Sequence, residues 1–227
     1  YPQYTQSSFE TAIVETKKQA KKLALTDKLM FVDPFYVDPG FIGACAQIVR
    51  DHFETHSADH LLFSYHGVPV RHVKQVDTAG YCQNNDACCA QIGSVNQNCY
   101  RAQCHATSRA IASALGLNAD EFTTCFQSQF GKDEWIGPSF ERLVEDLPKR
   151  GIKTVAVACP SFVADCLETL EEIGIRGREE FQEAGGEDLT LIPCVNSHPL
   201  WVKAAANLIR ATVEQSASAG ASAASAH

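Results

Sequence analysis

The sequence predicts an α/β domain built on a parallel sheet flanked by helices, and three observations carry that expectation. Short β-type runs alternate with amphipathic stretches in the order βαβαβαβαβα, as when helical crossovers join parallel strands. Residues 154–159 (TVAVAC) form a continuous run of small and β-branched side chains, which a strand buried on both faces requires. Apolar residues make up 45% of the 227-residue chain and charged residues 20%, enough to build one large core.

The elements follow in order. A helix is expected over 8–24. Residues 28–32 (KLMFV) read as a first strand and lead into a helix over 41–55. Further strands are expected at 61–65 (LLFSY), 122–126, 154–159 and 189–193. Helices are expected near 105–116, 138–149, 163–183 and 198–215, with Pro199 suited to the first turn of the last. Residues 77–104 break the pattern. They are polar, rich in Asn, Gln and Cys, and without periodicity, and a loop of that length in a compact domain has either a function or no order. The Ala/Ser/Gly tail, 216–227, has too little to bury and is expected to be disordered or to fray.

Composition removes whole classes of function. Net charge is −8 with no Lys/Arg-rich stripe, so a nucleic acid would meet repulsion rather than steering. No window approaches the roughly 18–20 continuous apolar residues of a membrane span. The chain begins at Tyr1 rather than Met, so the lack of a signal peptide carries no information.

In parallel α/β sheets ligands bind beyond the carboxyl ends of the strands, so the residues after each strand are the candidates. The second strand runs into Tyr65-His66-Gly67-Val68-Pro69, where a neutral imidazole could accept a proton or bind a divalent metal. A histidine merely bonded to a loop carbonyl is the plainer alternative. The strand at 154–159 is followed by Asp165, Glu168 and Glu172, and the last two are i and i+4 on one helix face. Such a stripe could conduct a cation or protons, or could be only a solvated acidic face. Phe126-Gln127-Ser128-Gln129-Phe130-Gly131, with Trp135, follows the third of the ligand-side strands and could face a flat apolar ligand or cover the core. His52, His56 and His60 recur every fourth residue. His60 abuts a strand, so the helix is expected to end before it, and the other two read as surface residues at a helix end.

Taken together, these stretches resemble the ferrochelatase family. The matching segments are Tyr1-Pro2-Gln3-Tyr4, Asp33-Pro34-Phe35-Tyr36, Phe63-Ser64-Tyr65-His66-Gly67-Val68-Pro69, the Phe126–Gly131 stretch with Trp135, and Cys159-Pro160 through Asp165, Glu168 and Glu172. The resemblance implies a chelatase-like fold of two Rossmann-like halves. Residues 1–27 would end the first half, 28–197 would form the second, and 198–215 would pack back toward the first. Most of the first half would then be missing, and a chain left with one wall of the cleft is expected to be inactive alone. The implied activity is insertion of ferrous iron into a porphyrin, protoporphyrin IX or coproporphyrin III, in heme biosynthesis. His66, Glu168 and Glu172 would be catalytic. Tyr65, Phe126, Gln127, Ser128 and Trp135 would contact the porphyrin, and His66, Glu168 and Asp165 would meet the incoming iron. A cytoplasmic location is implied, with peripheral association at the inner membrane and a homodimer both left open. Two rivals remain: a related cobalt or sirohydrochlorin chelatase, and a non-catalytic iron–sulfur or zinc module.

Ten cysteines are present. Cys45, Cys125, Cys159, Cys166 and Cys194 are scattered through apolar segments, where a thiol packs as a small hydrophobe. Cys82, Cys88, Cys89, Cys99 and Cys104 fall within 23 residues. Against the family pattern this stretch is an insert, and some bacterial ferrochelatases carry an internal [2Fe–2S] cluster. The expected ligands are Cys82, Cys99 and Cys104 with Cys89, Cys88 being the alternative, since neighbouring side chains on extended backbone diverge. Zinc needs the same four ligands, and two disulfides would use them as well.

Overall fold

The computed structural model describes residues 1–224, and side-chain surroundings for 1–216. Four strands are present: β1 (His60–His66), β2 (Phe122–Gln127), β3 (Thr154–Ala158) and β4 (Asp188–Leu191). All pair in parallel in the order β2-β1-β3-β4. Side chains along β1 alternate between two cores. Leu61, Phe63 and Tyr65 pack with Phe41, Val49 and Ile111, while Leu62 packs with Phe140, Val144 and Phe181. Helices therefore cover both faces, as a parallel sheet demands.

The helices are α1 (Thr11–Lys22), α2 (Pro39–Phe53), α3 (Val70–Gln75), α4 (Tyr100–Leu115), α5 (Phe140–Asp146), α6 (Leu167–Leu170), α7 (Arg178–Glu183) and α8 (Pro199–Ala224). Asp38 caps α2 by accepting from the Phe41 amide at 2.9 Å, with Pro39 in its first turn. α4 ends where Gly116 takes φ 77°. α8 packs on α2: Trp201 stacks on Phe35 at 5.6 Å, and Ala204 approaches so closely that a Cβ on Gly40 would lie 2.7 Å from its own. Leu200, Val202, Ile209 and Val213 of α8 are exposed. Among the described residues no helix is long and apolar enough to cross a membrane.

Several expectations need correction. Residues 28–32 form no strand, because neither edge of the sheet is offered to them, and Met30 is 49% exposed. The helix expected over 163–183 begins only at Leu167 and is π-helical over Glu172–Gly177 before α7. α4 starts at Tyr100 rather than 105, and α3 was not foreseen. The tail continues α8 as far as Ala224, in keeping with alanine's helix preference, and 225–227 lie outside the described residues.

Candidate functional site

In the order β2-β1-β3-β4 the chain leaves β1 toward β2 and then crosses to β3 on the other side of β1. This is the topological switch point, where a crevice opens beyond the strand ends. A cavity of about 820 Å³ lies there, within the range of roughly 300–1,000 Å³ that ligand pockets occupy. Its walls carry His66 from the end of β1, Ser161, Phe162, Cys166 and Glu168 from beyond β3, and Phe130 and Trp135 from the loop after β2.

His66 is fixed through its backbone. Its amide donates to Ser161 Oγ at 3.3 Å and its carbonyl accepts from Tyr100 Oη at 2.8 Å. Its Nδ1 lies 2.7 Å from the Gly67 carbonyl, so Nδ1 is the protonated nitrogen and Nε2 the basic one. Gly67 is required here: a Cβ would sit 2.8 Å from the Gln127 carbonyl, which accepts from the Gly67 amide at 2.7 Å. The Phe162 ring centre is 6.4 Å from the His66 ring.

Glu168 is held as a carboxylate below the usual glutamate range. Its own backbone N–H contributes most, then the Cys166 side chain, while the nearby His66 adds a smaller pull. The expected acidic stripe does not form. Glu172 is buried outside the cavity, its two carboxylate oxygens accepting from the Ser128 amide at 2.6 Å and from Ser128 Oγ at 2.7 Å. That pair steadies Ser128, whose φ of 62° is unfavourable for a residue with a Cβ. Asp165 turns away as well, accepting from Asn196 Nδ2 at 2.6 Å and the Cys194 amide at 3.1 Å. The physical reason is the late start of α6 and the π-helical turn after it, which break the i, i+4 face.

Tyr65, Phe126 and Gln127 are fully buried and do not line the cavity, and neither does Ser128. Tyr65 Oη shares a hydrogen bond with Ser108 Oγ at 2.9 Å. Gln127 accepts from Ser64 Oγ at 2.7 Å and donates to the Glu168 carbonyl, so it ties β1, β2 and α6 together. Trp135 is in the wall, and Phe130, 75% exposed, stands beside it with ring centres 5.2 Å apart.

Sequence reasoning missed Tyr100, Arg71, His72 and Lys132, which also line the cavity. Tyr100 was hidden by the misplaced start of α4, and the other three sit in or beside short segments with no periodicity to read. The N-terminal segment closes another side with Tyr1, Gln3, Thr5, Ser7 and Ser8. Gln3 Nε2 donates to Thr107 Oγ1 at 3.1 Å, and the Tyr4 amide to Gln103 Oε1 at 2.7 Å. Of the recurring histidines, His60 is buried in β1 and paired with Thr123 Oγ1 at 2.9 Å. His52 and His56 stack at 4.3 Å, and His52 Nε2 pairs with Thr190 Oγ1 of β4 at 3.0 Å.

The cysteine-rich segment folds against α4. The Cys89 and Cys99 side chains interact, and Cys82, Cys88 and Cys99 line one small cavity. Cys88 Sγ donates to the Asn85 carbonyl at 3.2 Å and lies 3.9 Å from Cys89 Sγ. Among the described residues no three Cys, His, Asp or Glu side chains already stand in a metal-coordinating arrangement. All ten cysteines are unpaired.

Comparison with known proteins places this geometry. A family model described as Ferrochelatase matches residues 1–213. Ferrochelatases of Bdellovibrio bacteriovorus and Pseudomonas fluorescens are 42% and 43% identical over 210 residues, and that of Azotobacter vinelandii is 42% identical over 212. Each alignment covers 92% of this chain, but the chain spans only 61–62% of the relatives' length.

Proposed function

Because this chain belongs to the ferrochelatase family, we propose that it supplies the catalytic wall of an enzyme inserting Fe²⁺ into a porphyrin, in heme biosynthesis. The observation that carries the reading is that His66 and Glu168, about a hundred residues apart, face one cavity lined by aromatic rings. Fe²⁺ and the metal-free ring are the substrates. As the metal bonds to the four pyrrole nitrogens, two N–H protons must leave. His66 Nε2 takes a proton, its Nδ1–H being committed to Gly67. Glu168, held ionised, accepts protons at the cavity edge or steadies the approaching cation. Glu172 and Gln127 hold the β2 end and α6 in register, so their part is positional. Phe130, Trp135 and Phe162 offer flat apolar contact to the macrocycle and favour a bent ring. Arg71 and Lys132 on the same wall suit the ring's propionate carboxylates.

Exposed Leu200, Val202, Ile209 and Val213 of α8 offer apolar side chains against which a first chelatase half would pack. For the insert we propose a [2Fe–2S] cluster on Cys82, Cys89, Cys99 and Cys104. The gathering of five thiols in one segment against α4, with Cys89 beside Cys99, supports a cysteine-bound group, and the bond from the Cys88 thiol to the Asn85 carbonyl favours Cys89 over Cys88. When bound, such a cluster would supply one-electron redox chemistry and cross-link the loop. A reducing cytoplasm suits unpaired cysteines.

Anaerobic insertion of Fe²⁺, followed by the Soret and visible bands of the product, tests the catalytic reading. His66→Ala and Glu168→Gln are expected to lose insertion while keeping porphyrin binding and the thermal midpoint. Wild-type rates in both variants would overturn it. Visible absorption before and after dithionite, with acid-labile sulfide analysis, tests the insert. Bands that bleach support the cluster, and a colourless zinc protein contradicts it.

A further inference from the structure

α4 carries Arg101, His105 and Arg109 at i, i+4 and i+8, so the three share one helix face. The cysteine insert lies on that face. Arg109 Nη1 and Nη2 both donate to the Cys89 carbonyl at 3.4 Å. Arg101 is 5% exposed, and its guanidinium reaches in two directions. Nε and Nη2 donate to the Gly137 carbonyl at 3.1 and 3.0 Å. Nη2 also donates to Asp86 Oδ1 at 2.6 Å, within the insert. The Asp86 carbonyl in turn accepts from the Cys89 amide at 3.2 Å. Arg101 Nη1 and His105 Nε2 are buried with no hydrogen-bond partner of their own.

Gly137 belongs to the loop that builds the cavity wall. That loop pairs with the segment after His66: the Val70 amide donates to the Glu134 carbonyl at 2.8 Å and the Ile136 amide to the Val68 carbonyl at 3.1 Å. Trp135 Nε1 donates to the Phe130 carbonyl at 3.0 Å, so both aromatics move with it. The neighbouring Tyr100 holds the His66 carbonyl. The first turn of α4, directly after Cys99, thus grips the cavity at two points.

We infer that Arg101 is a positioning residue joining the cysteine insert to the cavity wall, bonding the Asp86 carboxylate on one side and the Gly137 carbonyl on the other. On the insert side the inference rests on the cysteines binding an anionic group, as proposed above. Its consequence is that the state of Cys89 is felt at Phe130 and Trp135, and that ring binding is felt at the insert. Lysine cannot substitute, because one ammonium lacks the fork that donates to the Asp86 carboxylate and twice to the Gly137 carbonyl together.

The test uses the whole protein with Trp201→Phe, which leaves Trp135 as the reporter of the loop. In that background Arg101→Gln and Arg101→Lys are compared by Trp135 emission and by the EPR signal of the dithionite-reduced protein. Both variants are expected to shift the emission and the EPR g-values, and to weaken porphyrin binding several-fold, with Arg101→Lys retaining a cooperative thermal transition. Wild-type emission with wild-type EPR in a folded variant overturns the inference, as does a change on the loop side alone. Should the parent protein hold no sulfide, the cluster proposal fails by itself. The insert side is then read as the rate of maleimide labelling of Cys89, located by mass spectrometry: acceleration in both variants supports the link, and an unchanged rate overturns it.

Discussion

The role proposed for His66 depends on neighbours that fix its tautomer and its backbone. The Gly67 carbonyl fixes its tautomer, while Ser161 and Tyr100 hold its backbone. Replacing it by alanine should slow insertion by about 10²–10⁴-fold, the usual contribution of a general base, with porphyrin binding retained in a Soret titration. Glu168 has a depressed pKa, so it is charged at neutral pH and loses its charge only as the pH falls below the ordinary glutamate range. Glu168→Gln, uncharged at every pH, should therefore lose insertion across the whole range in which the wild-type carboxylate is ionised, read in the same Soret assay. Asp165 behaves as a structural group. Burial pushes its pKa up, but hydrogen bonds from Asn196 and Cys194 prevail and hold it low. Its stabilisation is complete above the unfolded aspartate pKa and disappears as the pH falls through the lower folded value. Asp165→Asn should cost about 1–3 kcal/mol in urea unfolding at pH 7, a gap that closes in acid. The positions of His66 and Glu168 could be read from sequence because both follow strands. The inward or outward turn of Asp165 and Glu172 could not, since it depends on where α6 begins.

The elements show why some boundaries were legible and others were not. β1 and β3 announce themselves by apolar runs, β2 and β4 by short β-prone stretches mixing Thr with apolar residues, and α2 by its Asp38-Pro39 cap. Residues 28–32 carry the same signal but lack a partner strand, and pairing is a property of the sheet that no segment encodes alone. α3, at six residues, is too short for periodicity to show. The end of β1 tolerates little change: Gly67→Ala would press its Cβ onto the Gln127 carbonyl. It should destabilise the protein by about 1–3 kcal/mol and shift the His66 side chain, seen together as a lower thermal midpoint and slower insertion. In the insert, Cys88 differs from Cys89 in the hydrogen bond its thiol gives to the Asn85 carbonyl. Cys89→Ser or Cys99→Ser should lower bound iron and acid-labile sulfide at least roughly tenfold, whereas Cys88→Ser should leave both near the wild-type level.

Across the whole molecule, the crossing from β2 past β1 to β3 sets the location of chemistry. It opens a crevice beside β1 and brings together residues from the N-terminal segment, the loop after β2 and the turn before α6. Phe130 was legible from its place after β2, whereas Tyr100 joins that wall through long-range packing, which explains why local patterns gave no hint of it. Clustering of apolar side chains also leaves a second open groove at Ala20, Leu23, Leu25 and Leu29, outside the proposed site. Hydrogen exchange with and without a metal-free porphyrin distinguishes the two directly. Slower exchange at residues 66–72, 130–135 and 161–168 is the predicted result. Unchanged exchange there, or protection confined to the groove at residues 20–29, would contradict the assignment of the His66–Glu168 cavity to the tetrapyrrole.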